Sequence, residues 1–287
     1  MIRVKRLALA LLAGAAALTQ TRAFATPSWS EKAHTFKTAE GADIRATVLT
    51  INLNQANLRV LSVPFEMGSS PGSTETSVRI FAGARARDKK FRGKDWILVN
   101  GGFSSYRVDV PLGLLVVSGK VYSTLSKEMV RRTSPAAGLE FSKYRWSGVL
   151  CKRGPKGNWD IIPAAGYEPG MCEHALQAGP VPVEPDAKAA ISENESKSEP
   201  RYLRTLVCLD GASSMKVVVT QDITHLRPLS LWTSKPENAG GLGCRVALNL
   251  SGDTSSGPAL YTAATRSTKF LGDGTFPVPT VLFFEGK

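Results

Sequence analysis

The chain has 287 residues, of which 43% are hydrophobic and 21% are charged, and its formal net charge is +12. This apolar content is sufficient for a large packed core, so the composition excludes an intrinsically disordered chain. After residue 25, no stretch approaches the roughly 18 consecutive apolar residues of a membrane-spanning helix. We therefore expect no integral membrane segment in this part of the chain.

Residues 1–25 have the pattern of a signal peptide. A basic start is followed by an apolar stretch, residues 7–18, and by the small-x-small cleavage pattern Ala23-Phe24-Ala25. We expect residues 26–287 to form one domain that is periplasmic or secreted. Without the four basic residues of the leader, the formal net charge falls from +12 to +8.

The remaining positive charge suggests an anionic partner. For an exported protein, phosphates of the envelope and acidic glycans are the anions within reach, and we expect no nucleic-acid partner. General solubility is an equally good explanation of the excess charge. The sequence gives no indication of the oligomeric state.

The cysteines are Cys151, Cys172, Cys208 and Cys244. An even number in an oxidising compartment predicts two disulfides, with three possible pairings. We favour Cys151 with Cys172 and Cys208 with Cys244, because each pair closes a modest loop. The irregular spacing argues against a zinc site, and we expect no metal and no cofactor.

The first third of the chain predicts a hairpin, a helix and a central strand. Residues 44–53 and 58–63 are rich in β-branched residues and flank a short polar turn, so we expect them to pair. Ser77 is a favourable N-cap for the helix that follows. The continuous apolar run of residues 96–99 is typical of a central strand.

The rest of the chain predicts short strands at hairpin spacing. They are expected at residues 112–117, 119–123, 138–142, 144–152, 159–163 and 175–178, and a hairpin is expected from residues 203–209 and 216–220. Residues 226–232 predict a short helix, and residues 278–284 predict a last strand. The fold class is therefore α+β, a single domain built on largely antiparallel sheet with two or three short helices.

At four places an apolar strand ends in small polar residues. These junctions are Asn100-Gly101-Gly102-Phe103, Gln177-Ala178-Gly179-Pro180 and the run from Asn249 to Gly257, together with the strand carrying Arg204-Thr205. Glycine lets the backbone approach a ligand closely, and successive N–H groups can bind an anion. We expect the four junctions to fold together around one anionic ligand.

In order and spacing, the four junctions resemble the phosphodiester glycosidase family. The resemblance extends over roughly residues 44–284 and includes Val278-Pro279 before the last strand. It implies an exported hydrolase that cleaves the bond between a sugar anomeric carbon and a phosphate, in a phosphorylated glycan or glycolipid. Such chemistry requires a group that holds the phosphate and a carboxylate or oriented water at the sugar carbon.

The resemblance also implies roles for individual residues. Arg204 would hold the phosphate with its guanidinium fork, Asp253 would supply the carboxylate, and Asn100 would orient water or a sugar hydroxyl. The expected substrate-binding residues are Gly101, Gly102, Gln177, Gly179, Asn249, Gly252, Ser255 and Ser256. An ion pair across a hairpin is an equally good interpretation of Arg204, and turn capping is the alternative for Asn100 and Gln177.

Three positions depart from the family pattern Asn-Leu-Asp-Gly-Gly-Gly-Ser: Asp253 and Thr254 replace two glycines, and the third change removes the aspartate. This chain has Asn249-Leu250-Ser251-Gly252-Asp253-Thr254-Ser255, so Ser251 replaces the family aspartate. Residues two apart point the same way in an extended strand, so Asp253 can supply the carboxylate if that geometry continues. Asp210 on a neighbouring hairpin is a second candidate. The alternative function is a non-catalytic periplasmic protein that binds a phosphorylated glycan or a partner protein.

Other hydrolytic chemistries lack their motifs. The sequence has no Gly-x-Ser-x-Gly elbow, phosphate-binding loop or His-Glu-x-x-His helix. Its histidines, His34, His174 and His225, are scattered, which does not favour a Ser-His-Asp triad.

Overall fold

Continuous apolar runs give the chain several strands that are buried on both faces. The computed structural model describes residues 28–68, 76–103, 110–126, 147–194 and 200–287, so the expected leader and the strand expected at residues 138–142 lie outside it. The strands are β1 (Trp29–Lys37), β2 (Asp43–Asn52), β3 (Ala56–Ser62), β4 (Trp96–Asn100), β5 (Leu115–Val117), β6 (Lys120–Ser123), β7 (Gly148–Lys152), β8 (Trp159–Pro163), β9 (His174–Ala178), β10 (Val183–Glu184), β11 (Lys188–Ala189), β12 (Thr205–Leu209), β13 (Ser214–Thr220), β14 (Val246–Asn249), β15 (Ala259–Thr262), β16 (Ser267–Phe270) and β17 (Thr280–Gly286).

The helices of the described residues are short. They are α1 (Val63–Glu66), α2 (Val78–Arg87) and α3 (Leu226–Ser234), with single 3₁₀ turns at Ala164–Gly166, Glu237–Ala239 and Asp253–Ser255. The Ser77 side chain accepts a hydrogen bond from the Ile80 N–H, which confirms the predicted cap of α2. In the part of the chain that the structure covers, no helix has both the length and the apolar composition needed to cross a bilayer.

The strands form three sheets, and the neighbouring strands within each sheet are antiparallel. The seven-stranded sheet has the order β1-β2-β13-β12-β14-β10-β11, and the two five-stranded sheets have the orders β16-β15-β4-β17-β3 and β6-β5-β9-β7-β8. The predicted α+β fold on antiparallel sheet is therefore confirmed. The 203–209/216–220 hairpin is also confirmed, as β12 paired with β13.

The largest core lies where the inner faces of the three sheets meet. It receives Leu49 and Val207 from the first sheet, Ile97 from the second, and Leu150 and Leu176 from the third. On the opposite face of the first sheet, α3 packs through Leu229 and Trp232 against residues such as Val48 and Leu206. Helix α2 covers the outer face of the second sheet in the same way.

The predicted hairpin of residues 44–53 and 58–63 is wrong, although both strands form. Strand β2 pairs with β1 and β13, whereas β3 pairs with β17 in the second sheet. Both strands send side chains into the central core, for example Ile51 and Val60. The short connection therefore carries the chain from one sheet to the next instead of returning it alongside itself.

Two disulfides hold the sheets, and both predicted pairings are confirmed. Cys151 of β7 is bonded to Cys172, and Cys208 of β12 is bonded to Cys244, just before β14. All four cysteines are buried. Two disulfides are typical of proteins exported to an oxidising compartment.

Candidate functional site

The four strand-to-turn junctions meet at one edge of the fold, around the end of β14. The Ser251 N–H donates to the Gly101 carbonyl at 3.0 Å, and the Gly179 N–H donates to the Asn249 carbonyl at 3.0 Å. The Leu250 N–H donates to the Thr205 carbonyl at 2.8 Å. Backbone hydrogen bonds thus join the last junction to each of the other three.

The sheet topology explains this convergence. β4 and β9 are the middle strands of their five-stranded sheets, and β14 lies between β12 and β10 in the first sheet. Each of these strands is fully buried along its length. Their apolar side chains meet in the central core, so the polar residues that end them are placed side by side at its margin.

Asn100 holds two parts of the last junction together. It is fully buried, its Nδ2 donates to the Ser251 carbonyl at 2.7 Å, and its Oδ1 accepts from the Gly257 N–H at 3.3 Å. Both amide atoms therefore bond to backbone of the 251–257 loop.

Gln177 and Asn249 also bond to backbone. The Gln177 Oε1 accepts the N–H groups of Leu114 and Ser126, and its Nε2 donates to the Ser126 carbonyl. The Asn249 Nδ2 donates to the Gly179 carbonyl at 2.9 Å. Within the described ranges its buried Oδ1 has no hydrogen-bond partner. These amides shape the loops around the site.

Arg204 lies beneath the 251–257 loop with 5% of its surface exposed. Its Nε donates to the Thr224 carbonyl at 3.4 Å, one terminal nitrogen donates to the Pro200 carbonyl at 3.1 Å, and its guanidinium lies 5.1 Å from the centre of the Tyr202 ring. A Cβ built on Gly252 would be 4.0 Å from the Arg204 Cδ. The arginine stem thus lies directly beside the glycine of the loop.

Residues 251–255 carry further polar groups that form no hydrogen bond to a described residue. Gly252 is extended, at φ −119° and ψ −163°, and Asp253 is left-handed, at φ 57°. Asp253 and Thr254 are exposed. No hydrogen bond between described residues uses the N–H groups of Gly252 and Thr254 or the carboxylate of Asp253.

The C-terminal end of the same loop, at Ser255 and Ser256, is buried and held by hydrogen bonds. The Ser256 Oγ lies 2.5 Å from the Thr205 Oγ1, and Ser256 is fully buried. The Ser256 carbonyl accepts the N–H groups of Asp273 and Gly274 at 2.9 and 3.0 Å. Ser255 is buried as well.

The glycines at the junctions are sites of close backbone approach. A Cβ on Gly101 would overlap Thr280 Oγ1 and lie 2.7 Å from the Thr280 carbonyl oxygen. One on Gly102 would lie 2.7 Å from the Gln177 carbonyl oxygen, and one on Gly252 would lie 2.8 Å from the Leu203 carbonyl oxygen. A side chain at any of these positions would push the junctions apart.

Thr280 was not identified from the sequence as a residue of this edge. Its carbonyl accepts the Gly101 N–H at 2.9 Å, and its Oγ1 accepts the Gly102 N–H at 3.2 Å. In the sequence, only the Val278-Pro279 pair just before Thr280 indicated that this part of the chain belongs to the site.

Asp210 and two of the histidines lie elsewhere. Asp210 follows the opposite end of β12 from Arg204 and pairs with Lys216 at 3.1 Å, so it does not join the junctions. His174 begins β9, three residues before Gln177, and burial lowers its pKa. His225 precedes α3. In the part of the chain that is described, no group of three or more His, Cys, Asp or Glu residues could hold a metal ion.

Comparison with known proteins supports the fold at low sequence identity. No protein-family model matches the chain, and no curated protein matches it. The catalytic domain of zebrafish N-acetylglucosamine-1-phosphodiester alpha-N-acetylglucosaminidase, auto-inhibited by its pro-peptide, is similar with a TM-score of 0.58 and 11% identity, over 90% of this chain and 84% of that one. A hypothetical protein from Synechocystis is similar with a TM-score of 0.53 and 14% identity, over 91% of this chain and 63% of that one. At these identities the likeness shows a shared fold.

Proposed function

We propose that the protein is an exported hydrolase that cleaves a glycosyl phosphodiester of the envelope or of an extracellular glycan. The convergence of the four junctions around the 251–255 segment is the observation that carries this proposal. It gives free backbone N–H groups and a carboxylate a common location. The fold shared with a phosphodiester glycosidase domain supports it as analogy.

The phosphate would bind to the backbone of this segment. The N–H groups of Gly252 and Thr254 have no partner among the described residues, and unpaired N–H groups in such a turn attract anions. The aliphatic part of the Arg204 side chain lies beside Gly252, so its guanidinium adds positive charge near the phosphate site. Because its guanidinium donates hydrogen bonds to the Thr224 and Pro200 carbonyls, we assign Arg204 an electrostatic role beside the 251–257 loop.

Asp253 would act on the attacking water. Its carboxylate would take a proton as the water oxygen bonds to the anomeric carbon, the bond from that carbon to the phosphate oxygen would break, and the phosphomonoester would leave. Asn100, Gln177 and Asn249 would position the loops, and the buried Asn249 Oδ1 would remain as an acceptor for a substrate hydroxyl.

The proposal is tested by measuring sugar released by the purified protein from a panel of N-acetylglucosamine phosphodiesters. We expect Asp253→Asn to lower kcat/KM at least about 100-fold, the usual contribution of a general acid or base. Asp186→Asn is the matched control, because Asp186 is also exposed and left-handed, at φ 78°, but lies beyond the other end of β14. Full turnover by Asp253→Asn would contradict the proposed role.

Binding without turnover is the second candidate function. It is favoured by Ser251 at the position of the family aspartate and by the engagement of the Arg204, Asn100 and Gln177 side chains in internal hydrogen bonds. In the same assay the unaltered protein would then release no sugar. It would still show saturable binding of the phosphodiesters, and Arg204→Gln would weaken that binding.

A further inference from the structure

A cleft lies on the outer face of the first sheet, away from the central core and from the 251–255 segment. It has a volume of about 760 Å³ and opens between the β1–β2 turn and helix α3. This volume is within the range of small-molecule binding sites. Phe36 and Trp232 on its walls belong to the outer core cluster.

We propose that this cleft binds an anionic sugar, such as a sugar phosphate or a uronate. This inference is independent of the proposed hydrolase activity, because the residues that carry it are not those of the 251–255 segment.

The charge of the cleft favours an anion. Four basic residues line it, Lys37, Arg201, Arg227 and Lys235, against two acidic residues, Glu40 and Glu193. If Asp43, which pairs with Lys37 at 2.7 Å, is counted as well, positive charges still outnumber negative ones. The Arg201 guanidinium is anchored by a hydrogen bond of 3.1 Å to the Ile223 carbonyl, which limits its motion at the cleft wall.

The carboxylates in this positive cleft point to a ligand with hydroxyl groups. A simple anion would be repelled by Glu40, whereas a sugar hydroxyl can donate to its carboxylate. The hydrogen bond from its own backbone N–H lowers the pKa of Glu40 most, followed by the hydrogen bond from Thr38 and then by the smaller effects of His225 and Arg201. Acidic and basic groups are thus near each other, as a ligand with one anionic group and several hydroxyls requires.

His225 adds a polar atom that lacks a partner. Its Nδ1 is buried and makes no hydrogen bond to any residue of the described ranges, and its side chain does not cap α3. Leaving a buried polar atom unpaired is unfavourable. His225 lines the cleft, so a ligand hydroxyl that reaches this nitrogen would provide the missing hydrogen bond.

Leu231 gives the cleft an apolar surface that can contact a sugar ring, since its side chain is 46% exposed. Beside it, Phe36 and Trp232 are only 6% and 7% exposed and stack on each other with 4.5 Å between ring centroids, so they support the cleft wall. Ligand sites typically combine such apolar walls with a few polar groups that fix orientation. A bare phosphate would leave this surface unused.

The backbone at Thr224 lies between the cleft and the candidate hydrolytic site. Thr224 lines the cleft, and its carbonyl accepts the hydrogen bond from Arg204 Nε that anchors the arginine beneath Gly252. The two sites therefore lie on opposite sides of the same backbone.

The test is a titration of the isotope-labelled, purified protein, followed by NMR, with glucose 1-phosphate, glucuronate, inorganic phosphate and glucose. We expect the two anionic sugars to shift the amides of residues 35–42 and the Trp232 indole, and glucose and inorganic phosphate to bind at least about tenfold more weakly. Binding of only one anionic sugar would identify phosphate or carboxylate as the recognised group.

Two variants localise the binding. Lys37→Gln with Arg201→Gln is expected to weaken binding of the anionic sugars at least about tenfold. The matched control is Lys89→Gln with Lys90→Gln, which removes the same charge from exposed positions after α2 and should leave binding unchanged. His225→Leu should weaken binding of glucose 1-phosphate but not of inorganic phosphate.

The proposal is overturned if neither anionic sugar shifts the cleft resonances, if the Lys37/Arg201 double variant binds them as tightly as the unaltered protein, or if inorganic phosphate binds as tightly as glucose 1-phosphate. Asp253→Asn separates the two proposals, since it should remove hydrolysis and leave binding in the cleft intact.

Discussion

Replacing Asn100 with alanine should destabilise the protein through the loop that this residue holds. The change removes a hydrogen bond of 2.7 Å to the Ser251 carbonyl and one of 3.3 Å from the Gly257 N–H, both in a fully buried environment. Leaving one buried acceptor and one buried donor unpaired costs about 1–3 kcal/mol each, and the longer bond belongs at the lower end. We therefore expect a loss of about 3 kcal/mol in the free energy of unfolding.

Urea denaturation followed by circular dichroism measures this loss, and a thermal scan should show a melting temperature lower by about 6–12 °C. Asn57→Ala is the control, because Asn57 is exposed on β3 and its side chain has no hydrogen bond to a described residue. Its effect should stay within about 0.5 kcal/mol. A stable Asn100→Ala protein that has lost all activity would refute the positioning role and indicate direct contact with substrate.

Three further predictions concern other parts of the fold. Gly101→Ala should lower the melting temperature strongly, since its Cβ would lie 2.7 Å from a backbone carbonyl oxygen of β17, and an unchanged melting curve would contradict this close approach. The double variant Cys208→Ala/Cys244→Ala should lose about 4 kcal/mol in urea denaturation, because this disulfide spans 36 residues, and a loss below about 1 kcal/mol would refute the estimate. Hydrogen bonds from Arg45 lower the pKa of Asp222 from 3.8 to about 2, so the pair is stabilising above pH 3.8 and its contribution is lost as the pH falls toward 2. Because Arg45 is 65% exposed, Asp222→Asn should lower the melting temperature only slightly at pH 5, and this difference should shrink as the pH falls through 2 in thermal scans.

Strand positions were predictable where burial on both faces leaves a clear pattern. The run Trp96–Asn100 is buried at every residue, and it forms a central strand as expected. β1 was not predicted, because most of its residues are exposed at the edge of the first sheet and several are charged. The partners of β2 and β3 could not be inferred from the sequence around them. They depend on how the sheets pack around the core to which both strands contribute side chains.

The residues that form the candidate site could be predicted from the sequence, whereas their hydrogen-bond partners could not. The four polar junctions can be read from the sequence, and buried strands bring their ends together. The partner of the Asn100 Nδ2, however, is the Ser251 carbonyl, 151 residues further along the chain. The same amide next to a glycine is compatible with contacting a ligand or capping a distant loop, and only the tertiary structure distinguishes the two.

The position of Asp253 leads to a last prediction about the backbone. The extended geometry after β14 continues through Gly252 and ends at Asp253, whose φ is 57°. Ser251 is 8% exposed, whereas Asp253 is exposed, so the two side chains are in different environments. A carboxylate at residue 253 is therefore not equivalent to one at residue 251.

Substitutions at this position should separate the backbone from the charge. Asparagine and glycine tolerate a left-handed conformation, so Asp253→Asn and Asp253→Gly should change the free energy of unfolding by less than about 1 kcal/mol. Asp253→Val should lose about 1–3 kcal/mol, because a β-branched residue is strained there. If hydrolysis depends on the carboxylate, all three variants lose it, and Ser251→Asp added to Asp253→Asn does not restore it. Restoration would show that the carboxylate acts from the more buried position and that the exposed left-handed turn only shapes the loop.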